Sequence, residues 1–198
     1  MILRHLTPQD SGQVFDAFCS ASVMEPQGRT QEYGFYEYHL EQEDIRNRLE
    51  LSEHGHLSVG LFGNRKDLLA YTIAYNFHVG RQIKDEVLQN VNVPETAIYC
   101  DQVFLNPRLP AFLAGRLTDY LTQSAQQLGV PGIFCAIPQS PWKNVSSTRF
   151  ALHRGFKRRG FVSTEKTNLG IFTKPLWATG RVQEDLDIEI AGMGGLRQ

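Results

Sequence analysis

The sequence predicts an α/β fold: one mixed β-sheet with helices on both faces, in the order β-α-α-β-β-β-α-β-α-β-β. Three observations carry that reading. Residues 97–105 (AIYCDQVFL) are rich in β-branched and aromatic types, as strands are, and stop at Asn106-Pro107. Residues 111–128 then place Leu113, Leu117, Leu121, Ala125 and Leu128 at helical spacing, and 133–137 (IFCAI) form an apolar run that suits a strand covered on both faces. Two strands joined by a helix should lie parallel, through a right-handed crossover. Upstream, 55–62 and 68–77 flank the turn Gly63-Asn64-Arg65-Lys66-Asp67, which predicts an antiparallel hairpin.

In chain order, residues 1–6 (MILRHL) read as a short strand. Thr7-Pro8-Gln9-Asp10 reads as a helix start, with Thr7 as N-cap, Pro8 in the first turn and Asp10 near the positive end of the dipole. Val14, Phe15 and Phe18 supply that helix's apolar face. Residues 20–33 are polar, with Pro26 and Gly28, and read as a loop; 33–38 (YGFYEY) crowd four aromatic rings together. A helix over 41–51 sets Ile45 and Leu49 one turn apart. Residues 78–95 lack a clean period, and a short helix fits around 84–91. They read equally as a substrate-side excursion at one rim of the sheet or as a surface insertion. Pro110 begins the long central helix and Gly129 closes it, with Pro131 beyond. A further helix over 144–154 ends at Gly155. Residues 156–163 and 168–173 make a closing hairpin, turned at 165–167 and ended by Pro175. Residues 182–190 alternate at their end through Leu186, Ile188 and Ile190, which predicts a half-buried edge strand, and 192–198 read as a mobile tail. One domain over 1–177 with an extension over 178–198 follows. Strand exchange through that extension would make a homodimer.

Composition excludes several classes. The chain has 198 residues, 41% hydrophobic and 21% charged, enough for one full core. A net charge of −1 gives no overall pull toward nucleic acid or a membrane surface. No apolar run nears the ~18 residues a membrane helix needs, and the N-terminus enters a strand directly, so no signal peptide is expected. Cys19, Cys100 and Cys135 are scattered with no CxxC pair, which fits reduced thiols and a cytoplasmic protein. His54 and His56 flank Gly55 without a partner set at ligand spacing, so no metal is predicted.

Two motifs carry a family resemblance. The first runs from Asn144 through a helix to Gly155-Phe156 and on to Gly160-Phe161. The second is Val103-Phe104-Leu105-Asn106-Pro107, followed by a helix ending in Ala125 and Gly129. In this order and spacing the chain, from the first strand to about Leu176, resembles the GCN5-related N-acetyltransferase (GNAT) superfamily. The resemblance implies acetyl-CoA, or another acyl-CoA, as cosubstrate and a small-molecule or peptide amine as acceptor. It assigns the pantetheine edge to Val103, Phe104 and Leu105, where two splaying parallel strands leave backbone groups for an added pseudo-strand. The pyrophosphate falls at the N-terminus of the central helix, on the amides of Ala111, Phe112, Leu113, Ala114 and Gly115, with Arg116 or Arg108 for charge. Asn144 and Ser146 reach the cofactor from the next helix.

The chain also departs from that family. The pyrophosphate loop usually reads Arg/Gln-x-x-Gly-x-Gly/Ala; residues 109–114 read LPAFLA, and only Ala114 matches. Leu109 replaces the polar head residue, Phe112 stands where Gly lets backbone approach phosphate, and Pro110 has no N–H to donate. Where the family often has a Tyr acid, four residues before the Gly-Phe, this chain has Ala151. Ser146, Ser147 and His153 are the substitute donors, each also readable as an ordinary helix residue. The carboxylate base of some relatives aligns with Tyr99. Asp101 lies two residues on, so on the same strand face, and reads either as base or as a salt-bridged surface residue. The catalytic candidates are therefore Asp101, Tyr99 and Ser147.

Other features each read more than one way. Tyr33, Phe35, Tyr36 and Tyr38 suit an acceptor pocket or a packed flap. Lys157-Arg158-Arg159 suits a CoA phosphate, an acidic acceptor or a solvated strand edge. Trp142 suits a loop anchor or a cofactor contact. The expected function is acyl transfer to a primary amine by direct attack on the thioester. Its rival is a degenerate, non-catalytic module of the same fold that binds acyl-CoA or a protein partner. A nucleic-acid-directed acyltransferase is a third reading, against which the charge balance speaks.

Overall fold

The computed structural model describes residues 1–23, 30–31, 35–36, 40–53, 56–83, 86–110, 112–140, 143–164, 167–176 and 189–190. Its main sheet has seven strands: β1 (Ile2–His5), β2 (Val59–Phe62), β3 (Leu68–Asn76), β4 (Ile98–Leu105), β5 (Gly132–Ser140), β6 (Lys157–Ser163) and β7 (Asn168–Pro175). In space they run β1-β2-β3-β4-β5-β7-β6. The helices are α1 (Ser11–Ala21), α2 (Gln42–Glu53), α3 (Phe77–Gly80), α4 (Glu86–Asn90), α5 (Phe112–Gln127) and α6 (Val145–His153). Every neighbouring pair of the sheet is antiparallel except β4 and β5, the pair joined by α5. The mixed α/β sheet predicted from the sequence is the one observed.

Side-chain alternation divides the core between the two faces. On one, Val14 and Phe18 of α1 and Ile45 and Leu49 of α2 pack on Tyr71, Ile73, Tyr75, Tyr99, Phe104 and Phe134. On the other, Leu121 and Ala125 of α5 and Ala151 of α6 pack on Ala74, Ile98, Cys100, Ile133 and Ile137. Leu113 and Leu117 of α5 extend that second face over β2 and β3, through Val59, Leu61 and Ala70. The buried stripe of α2 runs Ile45, Arg48, Leu49, Ser52, so an arginine and a serine lie beside two apolar residues on the buried helical face.

The helix start is built as its sequence implies. Asp10 Oδ2 accepts from the Thr7 N–H (2.9 Å) and hydroxyl (3.1 Å), while Arg4 grips the same carboxylate from β1. Pro8–Asp10 form a 3-10 turn before α1 proper. Gly129 and Gly155 close α5 and α6 at φ +68° and +84°, the left-handed values that favour glycine.

Several boundaries differ from expectation. The strand expected over 55–62 begins only at Val59. The strand expected to reach Phe77 stops at Asn76, whose side chain accepts from the His78 N–H and caps the one-turn α3. β5 runs through Pro138 to Ser140, and Pro175 is the last residue of β7 instead of lying past its end. Glu189–Ile190 pairs with Val91–Asn92, while 182–188 and 192–198, where an edge strand and a tail were expected, lie outside the described residues. So do Tyr33, Tyr38, His54 and Trp142. Phe35–Tyr36 pairs in parallel with Ser22–Val23. No helix among the described residues is long and apolar enough to cross a membrane.

Candidate functional site

β4 and β5 are paired at only two positions, Ile98 with Ile133 and Tyr99 with Phe134. Both strands continue, to Leu105 and Ser140, and past that pair they part. The result is a cleft in the sheet that widens toward the strands' C-terminal ends. The chain leaving β4 turns at Asn106, whose side chain accepts from the Arg108 N–H (3.0 Å), and enters α5 at the mouth. α6 enters from the far side, where Asn144 Oδ1 accepts from the Ser147 N–H (2.9 Å) as N-cap. Beyond α6, Arg154 pairs with Asp119 and donates to the Gly115 carbonyl (3.4 Å), which ties the two helices together.

Next to the apex β4 is bulged. Ile73 of β3 faces Gln102 and Ala74 faces Cys100, so Asp101 is the extra residue. The Asp101 side chain turns to the α1/α2 face, where its Oδ2 accepts from Arg48 Nε (2.8 Å) and from the Tyr75 hydroxyl (3.0 Å). The Gln102 side-chain oxygen Oε1 accepts from the Tyr71 hydroxyl (2.9 Å). Burial pushes the Tyr71 phenol well up, and the Asp101 charge pushes the same way, so this hydroxyl stays protonated and donating.

The other sequence candidates are placed as follows. The Tyr99 ring is buried between Phe134 (4.9 Å) and Tyr75 (5.7 Å), in the core beside the apex. Phe104 is buried against Tyr71 (5.3 Å) on the α1/α2 face. Val103, 37% exposed although in mid-strand, and half-buried Leu105 border the cleft. Phe112 stands out at the first position of α5, 68% exposed. Leu113 and Ala114 point their side chains into the protein, and Gly115 is buried. The Leu113 N–H already donates to the Pro110 carbonyl (3.1 Å). Ala111 lies outside the described residues. Arg108 and Arg116 are exposed near the mouth, Asn144 is buried, Ser146 exposed and Ser147 half-buried. Asp101 and Ser147 are not brought together: α6 packs on the face opposite the Asp101 carboxylate. Sequence reasoning missed Arg48, Tyr75 and Gln102. The signal for Arg48 was there, a charged residue three positions after Ile45 on the buried stripe of α2. Among the described residues no group of three or more His, Cys, Asp or Glu side chains is placed to hold a metal ion.

No family model matches the sequence, and no curated protein matches it. Solved structures match the fold. Naa20 from Chaetomium thermophilum, crystallised with a bisubstrate analogue, superposes with a TM-score of 0.62 at 12% identity, over 89% of this chain and 87% of that one. A GNAT-family acetyltransferase from Listeria monocytogenes gives 0.57 at 15%, over 88% and 94%. The fold is that of the GNAT superfamily. A Drosophila melanogaster polyamine N-acetyltransferase, which forms N-acetylagmatine, has it too, with a TM-score of 0.59 at 13% identity over 88% and 99%. The GNAT order expected from the Asn144 to Phe156 and Val103 to Gly129 motifs is thus the order found. These identities speak for the fold alone.

Proposed function

We propose that this chain moves an acetyl or related acyl group from acyl-CoA to a primary amine by direct attack. The observation that carries the reading is the two-rung pairing of β4 and β5, after which the strands part. A pantetheine arm fits such a cleft as an added strand, along the exposed edge at Val103 and Leu105. The pyrophosphate would lie at the α5 N-terminus, with Arg108 or Arg116 nearby and Asn144 and Ser146 across the mouth. The amine nitrogen attacks the thioester carbonyl carbon, the C–S bond breaks, and CoA leaves as thiolate. Positioning of amine and thioester supplies much of the rate. Asp101 is the proposed acceptor of the ammonium proton, through a water or hydroxyl because its side chain is buried. Ser147 is the proposed donor to the thiolate, and Tyr99 is a wall of the apex. The agmatine and polyamine N-acetyltransferases that share the fold support the acceptor class.

A second reading, binding without turnover, is favoured by the Asp101 oxygen already engaged by Arg48 and Tyr75. Calorimetric titration with acetyl-CoA and with CoA tests both. Micromolar binding followed by CoA release with an amine panel, lost in Asp101→Asn, supports transfer. Binding without release supports the module. No binding of either ligand overturns both.

A further inference from the structure

Two thiols stand one step past the apex of the cleft. The last rung but one, Ile98 with Ile133, points both side chains to the α5/α6 face, and the last, Tyr99 with Phe134, stacks its rings on the other. One step further stand Cys100 and Cys135. Alternation returns both to the α5/α6 face, where Cys100 is buried in the cluster of Ile98 and Ile133 and Cys135 packs against it. Adjacent strands run about 4.8 Å apart, and a disulfide needs Cα atoms ~4.4–6.8 Å apart. Cys100 and Cys135 each stand one residue past the last rung, on the same face and in the same cluster, and the Cys135 thiol feels the charge of Cys100. All three cysteines of the chain are free.

Burial pushes both thiols up, Cys100 to about 11 against a weak hydrogen bond with Thr72 (3.6 Å), and Cys135 with Cys100 adding to the effect. Thiolate is therefore scarce at neutral pH, which slows both thiols in disulfide exchange and sets the mildly alkaline pH of the test below.

We propose that Cys100 and Cys135 form a thiol modification site, which a small-molecule disulfide entering the cleft converts to an intramolecular disulfide. One cysteine thiolate attacks the reagent, RSSR, and expels RS⁻, which takes up a proton; the second attacks the resulting mixed disulfide and expels the other RS⁻. Two thiols are oxidised and one disulfide is reduced to two RSH. The new bond adds a covalent rung and shortens the cleft, so the pantetheine arm no longer reaches the apex. That last consequence rests on the acyl-CoA reading; the bond itself does not.

The test uses the full chain with Cys19→Ser, because Cys19 is exposed and would link copies. The protein is incubated with oxidised glutathione at mildly alkaline pH, then mapped by mass spectrometry. The expected result is loss of two hydrogens, a peptide linking Cys100 to Cys135, and reversal by dithiothreitol. CoA affinity, read by calorimetry, is expected to fall at least tenfold on oxidation and to return on reduction, with Cys135→Ser immune. Unchanged thiols, or a stable glutathione adduct with no linked peptide, would overturn the site. A linked peptide with unaltered CoA affinity would overturn the blocking role. If reduced protein binds no CoA, the acyl-CoA reading fails while the linked peptide still establishes the pair.

Discussion

Arg48 of α2 and Asp101 of β4 form a buried ion pair, Nε to Oδ2 at 2.8 Å, with side chains only 5% and 2% exposed. The pair fastens a surface helix to the bulge beside the cleft, and the Tyr75 hydroxyl bonds the same oxygen. Removing one member strands the other charge in a low-dielectric site, which costs about 3–5 kcal/mol. Arg48→Met is expected to lower the unfolding free energy by that order, read as a lower urea midpoint at unchanged slope. The double variant Arg48→Met/Asp101→Leu is expected to recover part of the loss, since neither charge is then left alone. A double variant less stable than either single one would mean that the two side chains contribute independently and that neither single variant strands a charge.

Asn144 separates capping from cofactor contact. Its Oδ1 caps α6, so Asn144→Ala should cost about 1 kcal/mol. Asn144→Asp keeps the cap and a favourable charge at the helix start. It should hold stability near wild type while weakening CoA binding, because a carboxylate then faces the phosphates. Chemical denaturation and calorimetry on the two variants check both halves; equal CoA affinity in Asn144→Asp would remove this residue from the cofactor site.

The fold was legible because local pattern and topology agree: the helical spacing from Leu113 to Ala125, the apolar run 133–137 and the glycine stops at 129 and 155 each specify one element. β5 shows where legibility ended. Pro138 reads as a strand breaker, yet it pairs with Leu169 of β7. Past Phe134 the other side of β5 faces the cleft and not a partner strand, so a residue without an N–H is tolerated there as on an edge. α3 is one turn long, too short for any period to show. Arg48 and Asp101 are 53 positions apart, and nothing local links them; only the fold brings α2 over the bulge. The single residue inserted at Asp101 has no sequence mark either, because a bulge breaks the two-residue alternation by which a strand is read.

His5 gives a pH dependence away from the cleft. Burial lowers its proton affinity, the nearby His56 ring (4.6 Å) lowers it further, and a hydrogen bond with the His56 backbone partly opposes them. The Tyr120 hydroxyl lies 2.7 Å from its Nε2. The folded state thus prefers neutral His5, while the unfolded chain takes up its proton near the ordinary value of about 6.5. This contribution is full above that value and is lost as pH falls toward the lower folded value. The Tm of the wild type is expected to drop more between about pH 7.5 and about pH 5 than that of His5→Gln. Parallel Tm curves for the two proteins would assign the drop to other groups.

Phe112 offers a variant whose two effects have opposite signs. It is the first residue of α5, largely exposed at the mouth of the cleft. Phe112→Asp places a negative charge at the positive end of the helix, which stabilises the folded state by about 0.3–1 kcal/mol. The same charge repels a pyrophosphate bound at those amides, and CoA affinity should fall more than tenfold, about 1.4 kcal/mol or more. Phe112→Gly removes the ring and lets backbone approach phosphate, so affinity should rise above wild type while helix stability falls. A protein made more stable and less able to bind CoA by one substitution, and the reverse by the other, would locate the anion at this helix end. Unchanged affinity in both would place the phosphates elsewhere and remove the α5 N-terminus from the binding site.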